Sequence, residues 1–187
     1  PSGDKDSNTM RLFRLGDLVH TDMQEALQRY ADKNDYDVHI ETEILIPKYN
    51  VRSFVDAMIL KDGALYDIKT CNDFKWQSIF GRYGSKQAPQ NYAIQLGTYG
   101  LYYRENNIKI NKMALLFYNK NNSRVKEIKV PRTYIDMAER YWLKVQELFK
   151  EGLPPIEKGL APVEDWECNK KYCSYFDACG GGIKGLH

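Results

Sequence analysis

Long apolar runs are missing from this 187-residue chain. None approaches the ~18–20 residues that cross a bilayer, so no membrane-spanning helix is expected. No charged-then-apolar leader opens the sequence, and a reducing cytoplasmic setting is the expectation. Cysteine is scarce, at four residues, so a disulfide scaffold is not indicated. In a reducing setting those four are thiols or metal ligands. Net charge is nearly absent, at +2 from 27 basic and 25 acidic groups. Internal repeats and low-complexity tracts are lacking as well. So is the composition of a disordered chain: hydrophobic residues make up 43% and charged residues 28%, ordinary globular values. The length suits one domain, for which about 100–200 residues is typical. A chain of this size buries roughly 70% of its unfolded surface without a staple.

The small net charge hides an asymmetry. Residues 1–60 hold 7 basic and 11 acidic groups, net −4, and residues 61–150 hold 16 and 8, net +8. Residues 151–187 hold 4 and 6, net −2. A basic middle in a near-neutral chain fits an anionic partner such as nucleic acid, and fits equally a solvated lysine-rich face.

Residues 1–9 are polar and expected to fray, within a flexible start through residue 14. Leu15, Leu18, Val19, Met23, Ala26, Leu27 and Tyr30 recur at helical spacing. Strands are expected over Val38–Ile46, Val51–Leu60 and Ala64–Thr70, the last two joined by a hairpin turn at Asp62-Gly63. A short helix is expected from Phe74 to Phe80, a mobile loop from Gly81 to Ser85, and a second main helix from Pro89 to about Arg104. Met113–Tyr118 and Arg124–Val130 read as strands, and Pro131 opens a long helix to about Lys150, stopped by Gly152 and Pro154-Pro155. The order α-β-β-β-α-β-β-α implies an α/β chain, a mixed sheet flanked by helices. The tail, 153–187, is loop-rich.

With Asp62-Gly63 as a two-residue turn, Met58 faces Asp67 and Asp56 faces Lys69. Alternation then sets Asp56, Asp67 and Lys69 on one face, with neighbours about 4.5–5.5 Å apart and diagonals about 7–8 Å. Two carboxylates so spaced suit a hard divalent cation such as Mg²⁺. The cation polarises a phosphodiester and generates hydroxide, while the lysine positions or deprotonates water or neutralises phosphate charge. A plain cross-strand ion pair is the other reading of the same three residues.

The ordered series Leu15-Gly16-Asp17-Leu18-Val19-His20, Asp56, Asp67-Ile68-Lys69-Thr70, Gln95 and Tyr99, followed by a cysteine tail, resembles the PD-(D/E)XK nucleases. Within them it resembles the RecB-like branch, which includes CRISPR-associated and phage exonucleases. The resemblance spans about Leu15 to the last cysteine. It implies a restriction-endonuclease-like αβββαβ core over residues 15–152, with a metal-cluster tail over 153–187. It also implies that His20, Asp56, Asp67 and the Ile68 carbonyl bind Mg²⁺ or Mn²⁺, and that Lys69 is the catalytic lysine. Glu43, on the strand before the hairpin, is either a supporting carboxylate or an exposed strand residue.

Gln95 and Tyr99 are four apart and share a helix face, with Tyr92 nearby. Gln95 can reach a phosphate or hold the lysine. Tyr99 can bond a phosphate, stack on a base, or belong to a core-facing stripe with Leu96. Lys75, Trp76, Arg82 and Lys86 mix basic and aromatic character between the D-x-K strand and that helix, which suits a nucleic-acid strand or an ordinary exposed loop.

Cys168, Cys173 and Cys179 lie within twelve residues among aromatics. Three such cysteines point to a metal, either a [4Fe–4S] cluster or a structural zinc. The resemblance implies the cluster, with a fourth cysteine before the first helix. The chain begins at Pro1 with its first methionine at Met10, so the fourth ligand is expected in an upstream segment, or from Cys71 or a histidine. Cys71 follows Lys69 by two and is expected to be a bystander. The implied function is a DNA exonuclease leaving 5′-phosphate and 3′-hydroxyl ends, acting on single strands or duplex ends with recombination or CRISPR-adaptation partners. A non-catalytic nucleic-acid-binding subunit and a zinc-stapled interaction module are the alternatives.

Overall fold

The computed structural model describes residues 7–151. Helix α1 (Ser7–Lys33) leads into strand β1 (Val38–Ile46), a 3-10 turn at Pro47–Tyr49, and strands β2 (Val51–Ile59) and β3 (Ala64–Cys71). Helices α2 (Asp73–Phe80) and α3 (Gln90–Glu105) cross to strand β4 (Lys112–Asn119). Strand β5 (Val125–Lys129) and helix α4 (Thr133–Glu151) complete the described chain. Among the described residues, no helix is long and apolar enough to cross a membrane.

The five strands form one mixed sheet in the order β1-β2-β3-β4-β5, flanked by helices. β3 and β4 run parallel and the other neighbours antiparallel. A parallel pair needs a crossover of a dozen or more residues, which α2 and α3 provide. β3 and β4 read Ala-Leu-Tyr-Asp-Ile-Lys-Thr-Cys and Lys-Met-Ala-Leu-Leu-Phe-Tyr-Asn, largely continuous apolar runs broken at the Asp and Lys. Such runs mark central strands covered on both faces. Ile44, Ile46, Val55, Leu65, Leu96, Leu101, Met113, Leu115 and Phe117 are core residues exposed by 1% or less.

Two expectations are corrected here. The first helix starts at Ser7, not Leu15, because Met10 to Arg14 contains no breaker and continues the helix towards the N-terminus. The β2–β3 turn has four residues, Leu60 to Gly63, not two. Gly63 N–H donates to the Leu60 carbonyl at 3.1 Å, and Gly63 adopts φ +61°. A β-carbon there would lie 2.5 Å from the Lys109 carbonyl oxygen, so only glycine fits. The longer loop moves the register by two: Met58 pairs with Leu65, and the rungs end at Ala57 and Tyr66. One further step of that register sets Asp56 against Asp67.

Helix α3 lies between the sheet and α4. Gly97 permits this, since a β-carbon would meet the Tyr134 carbonyl oxygen at 2.2 Å. Trp142 Nε1 donates to Thr98 Oγ1 at 2.9 Å across the same contact. The crossing holds α3 against the sheet with Gln95 towards β3.

Candidate active site and metal centre

β2 pairs with β1 from end to end except at Glu41 and Asp56, but with β3 over only three rungs, whereas β3 pairs with β4 throughout. The sheet therefore opens beyond Asp56 and Asp67, and the polar residues collect at that opening. Asp56 Oδ2 accepts the Ile68 amide N–H at 2.6 Å and lies 3.0 Å from His20 Nε2 on α1. The hydrogen bond to Asp56 raises the His20 pKa above its ordinary value, with partial burial opposing it. Asp67 is 1% exposed. Lys69 Nζ donates to its Oδ1 at 3.1 Å and lies 2.9 Å from Oδ2, but outside hydrogen-bond geometry for the latter. Asp67 Oδ2 is thus buried with no hydrogen-bond partner. Burial pushes the Asp67 carboxyl up to about 7; Lys69 opposes this, and the charge of Asp56 adds to it.

A relay runs from Lys69 into α3. Lys69 Nζ donates to Gln95 Oε1 at 2.9 Å, and Gln95 Nε2 donates to the Tyr99 hydroxyl at 2.7 Å. Tyr92 lies beneath the ammonium, 4.9 Å from ring centre to Nζ. An open cleft of about 720 Å³ borders these groups, lined by His20, Gln24, Glu41, Ile68, Lys69 and Lys120 among others.

No protein-family model and no curated protein matches the chain. Among solved structures it is similar to that of SSO0001, with a TM-score of 0.55 at 19% identity, over 91% of this chain and 71% of that one. The likeness is one of fold.

The structure brings His20 and Asp56 together, and Asp67, Lys69, Gln95 and Tyr99 into one hydrogen-bonded line. It adds two residues that the sequence reading passed over. Glu41, rather than Glu43, joins His20 and Asp56, with one potential ligand atom from each lying within 4.8 Å of the others. Gln24 Nε2 donates to Glu41 Oε2 at 2.5 Å and to the Asp56 carbonyl at 3.4 Å. The spacing of Gln24, one turn after His20, was the available signal. Glu43 is exposed and pairs with Arg52 on β2.

Several expected nucleic-acid contacts are placed elsewhere. Trp76 is 4% exposed and packs on Phe80 at 4.6 Å between ring centres, so it belongs to the core and not to a stacking surface. Tyr99 is 2% exposed, and burial pushes its hydroxyl up to about 12. It supports Gln95 and cannot stack on a base. Lys86 bonds the Phe80 carbonyl at 2.9 Å and also that of Gly81, closing its own loop. Lys75 is half-buried on α2, and Arg82 is exposed beside the Tyr83 ring. Cys71 is a buried free thiol in the core, raised by burial. Cys168, Cys173 and Cys179 lie outside the described residues.

Proposed function

We propose that this chain is a metal-dependent DNA nuclease of the PD-(D/E)XK kind, working as an exonuclease. One observation supports this above the others: Lys69 is held between Asp67 and Gln95 beside the His20, Glu41 and Asp56 group, at one open cleft. A lysine used only in an ion pair needs no second, neutral partner from a separate helix.

The residues fit a divalent cation. Carboxylate oxygens suit Mg²⁺ and Mn²⁺, and one imidazole is compatible with Mn²⁺. The buried Asp67 Oδ2 accepts no hydrogen bond, although the Lys69 ammonium lies 2.9 Å away, so a lone pair remains there for a cation. His20, Asp56 and Asp67, with the Ile68 carbonyl, would hold the ion. When bound, it polarises the phosphodiester and acidifies the attacking water.

The chain's own groups do the rest. Lys69 has three N–H bonds. Asp67 and Gln95 take two, leaving one for a water or a phosphate oxygen. Fixing the ammonium on two sides organises it before substrate arrives, and preorganised charge is worth more than mobile charge. Tyr99 fixes Gln95 in turn. The product ends would be a 5′-phosphate and a 3′-hydroxyl. The net +8 of residues 61–150 provides the attraction for DNA.

The test is digestion of end-labelled single- and double-stranded DNA with Mg²⁺, Mn²⁺ or EDTA. Degradation with either metal and none with EDTA is expected, and Asp67→Ala is expected to abolish it. Unchanged activity in purified Asp67→Ala protein would sink the assignment. DNA binding without degradation would favour the non-catalytic subunit instead. On the resemblance, we extend the reading to a [4Fe–4S] cluster on Cys168, Cys173 and Cys179. Anaerobically purified protein should then be brown and contain iron and sulfide, whereas colourless protein with bound zinc would replace the cluster by a zinc site.

A further inference from the structure

We infer that Glu41 is itself a ligand of the divalent cation and that Gln24 is the residue positioning it; the inference rests on the nuclease reading. The backbone at Glu41 departs from a regular strand, with φ +45°. Rungs are present on either side, Ile40 with Ala57 and Thr42 with Val55, but Glu41 and Asp56 form none between them. Gln24 donates to the Asp56 carbonyl at that gap. Its second N–H holds Glu41 Oε2.

His20 and Gln24 stand one turn apart, so a single face of α1 supplies a ligand and the clamp for another. A glutamine donating to a carboxylate orients it without neutralising it. The result is an imidazole nitrogen and two carboxylates close enough to share one ion. The register sets Asp67 next to Asp56, and its buried Oδ2 accepts no hydrogen bond although the Lys69 ammonium lies 2.9 Å away, so a lone pair there is left for a cation. Glu41 and Asp56 bring two carboxylates to the His20 imidazole, a donor set that a divalent cation accepts.

The test is Mn²⁺ binding to the full chain by isothermal titration calorimetry and electron paramagnetic resonance, with melting curves recorded on metal-free protein. Glu41→Gln keeps the side-chain length and an acceptor for Gln24. It should weaken Mn²⁺ binding about tenfold or more with little change in metal-free melting. Gln24→Met, of similar length, should weaken binding by about 10–100-fold, the usual cost of losing a partner that orients a ligand. Glu43→Gln should bind as the unmodified chain does. If Glu41→Gln binds Mn²⁺ normally while His20→Ala does not, the inference is overturned and the nuclease reading stands. If Gln24→Met lowers the melting temperature but leaves Mn²⁺ affinity unchanged, the positioning role is overturned. If the unmodified chain binds no Mn²⁺, both fall.

Discussion

Asp56 accepts the Ile68 amide at 2.6 Å, beyond the last paired rung between their two strands. A side-chain carboxylate thus takes the place of a ladder carbonyl where β2 and β3 separate. Asp56 is therefore a structural acceptor as well as a candidate ligand, and the two roles can be told apart.

Asp56→Ala should lose activity and stability together, since the buried Ile68 N–H is left unsatisfied at a cost of about 1–3 kcal/mol. Asp56→Asn retains an acceptor oxygen and should recover most of that stability while remaining inactive. Urea unfolding compared with DNA digestion distinguishes them. Equal instability of the two variants would contradict the structural role.

Lys69→Met should lower the rate of DNA cleavage by about 10²–10³-fold, the usual effect of removing one preorganised donor. The variant also strips Asp67 of its nearest positive charge, so the Asp67 pKa should rise further. Initial rates on labelled DNA, alongside the pH dependence of Mn²⁺ affinity, check both effects.

Metal-free stability should fall as pH rises through neutrality. Asp67 is raised from 3.8 to about 7, so it binds its proton more tightly in the fold. That contribution is complete below 3.8 and is lost as pH climbs through about 7. His20 acts with the same sign: its pKa is raised above 6.5, and its contribution is complete below that value and lost as pH passes the raised one. Melting temperatures at pH 6 and pH 8 in EDTA should show the drop, and Asp67→Asn should flatten it. Adding Mg²⁺ at pH 8 should restore stability, because binding favours the ionised ligands.

Gly97→Ala should destabilise the fold by about 1–3 kcal/mol or more, through overpacking against the Tyr134 backbone. α3 would be pushed from α4, taking Gln95 with it. Reduced activity alongside a lower melting temperature is expected, and a melting temperature equal to that of the unmodified chain would contradict the close approach.

Asp56, Asp67 and Lys69 share a face in either register for a physical reason. A shift of one residue would have turned Asp67 and Lys69 to the other face, but the four-residue loop shifts the pairing by two and preserves alternation. Local sequence therefore determined which residues form strands, with β1 spanning the expected Val38–Ile46 and helix α3 starting one residue after Pro89. It also determined that Asp56, Asp67 and Lys69 share a side, because period-two alternation needs no knowledge of the partner. Tertiary structure alone decided which glutamate joins them. Glu41 and Glu43 have the same periodicity, and only a distorted backbone with Gln24 behind it selects Glu41. Burial was likewise a tertiary decision. Trp76 reads as an exposed stacking residue from its basic surroundings, and the spacing of Tyr99 leaves a phosphate, a base or the core open to it, yet both are buried. Hydrophobic area removed from water outweighs the polar character of the neighbouring residues.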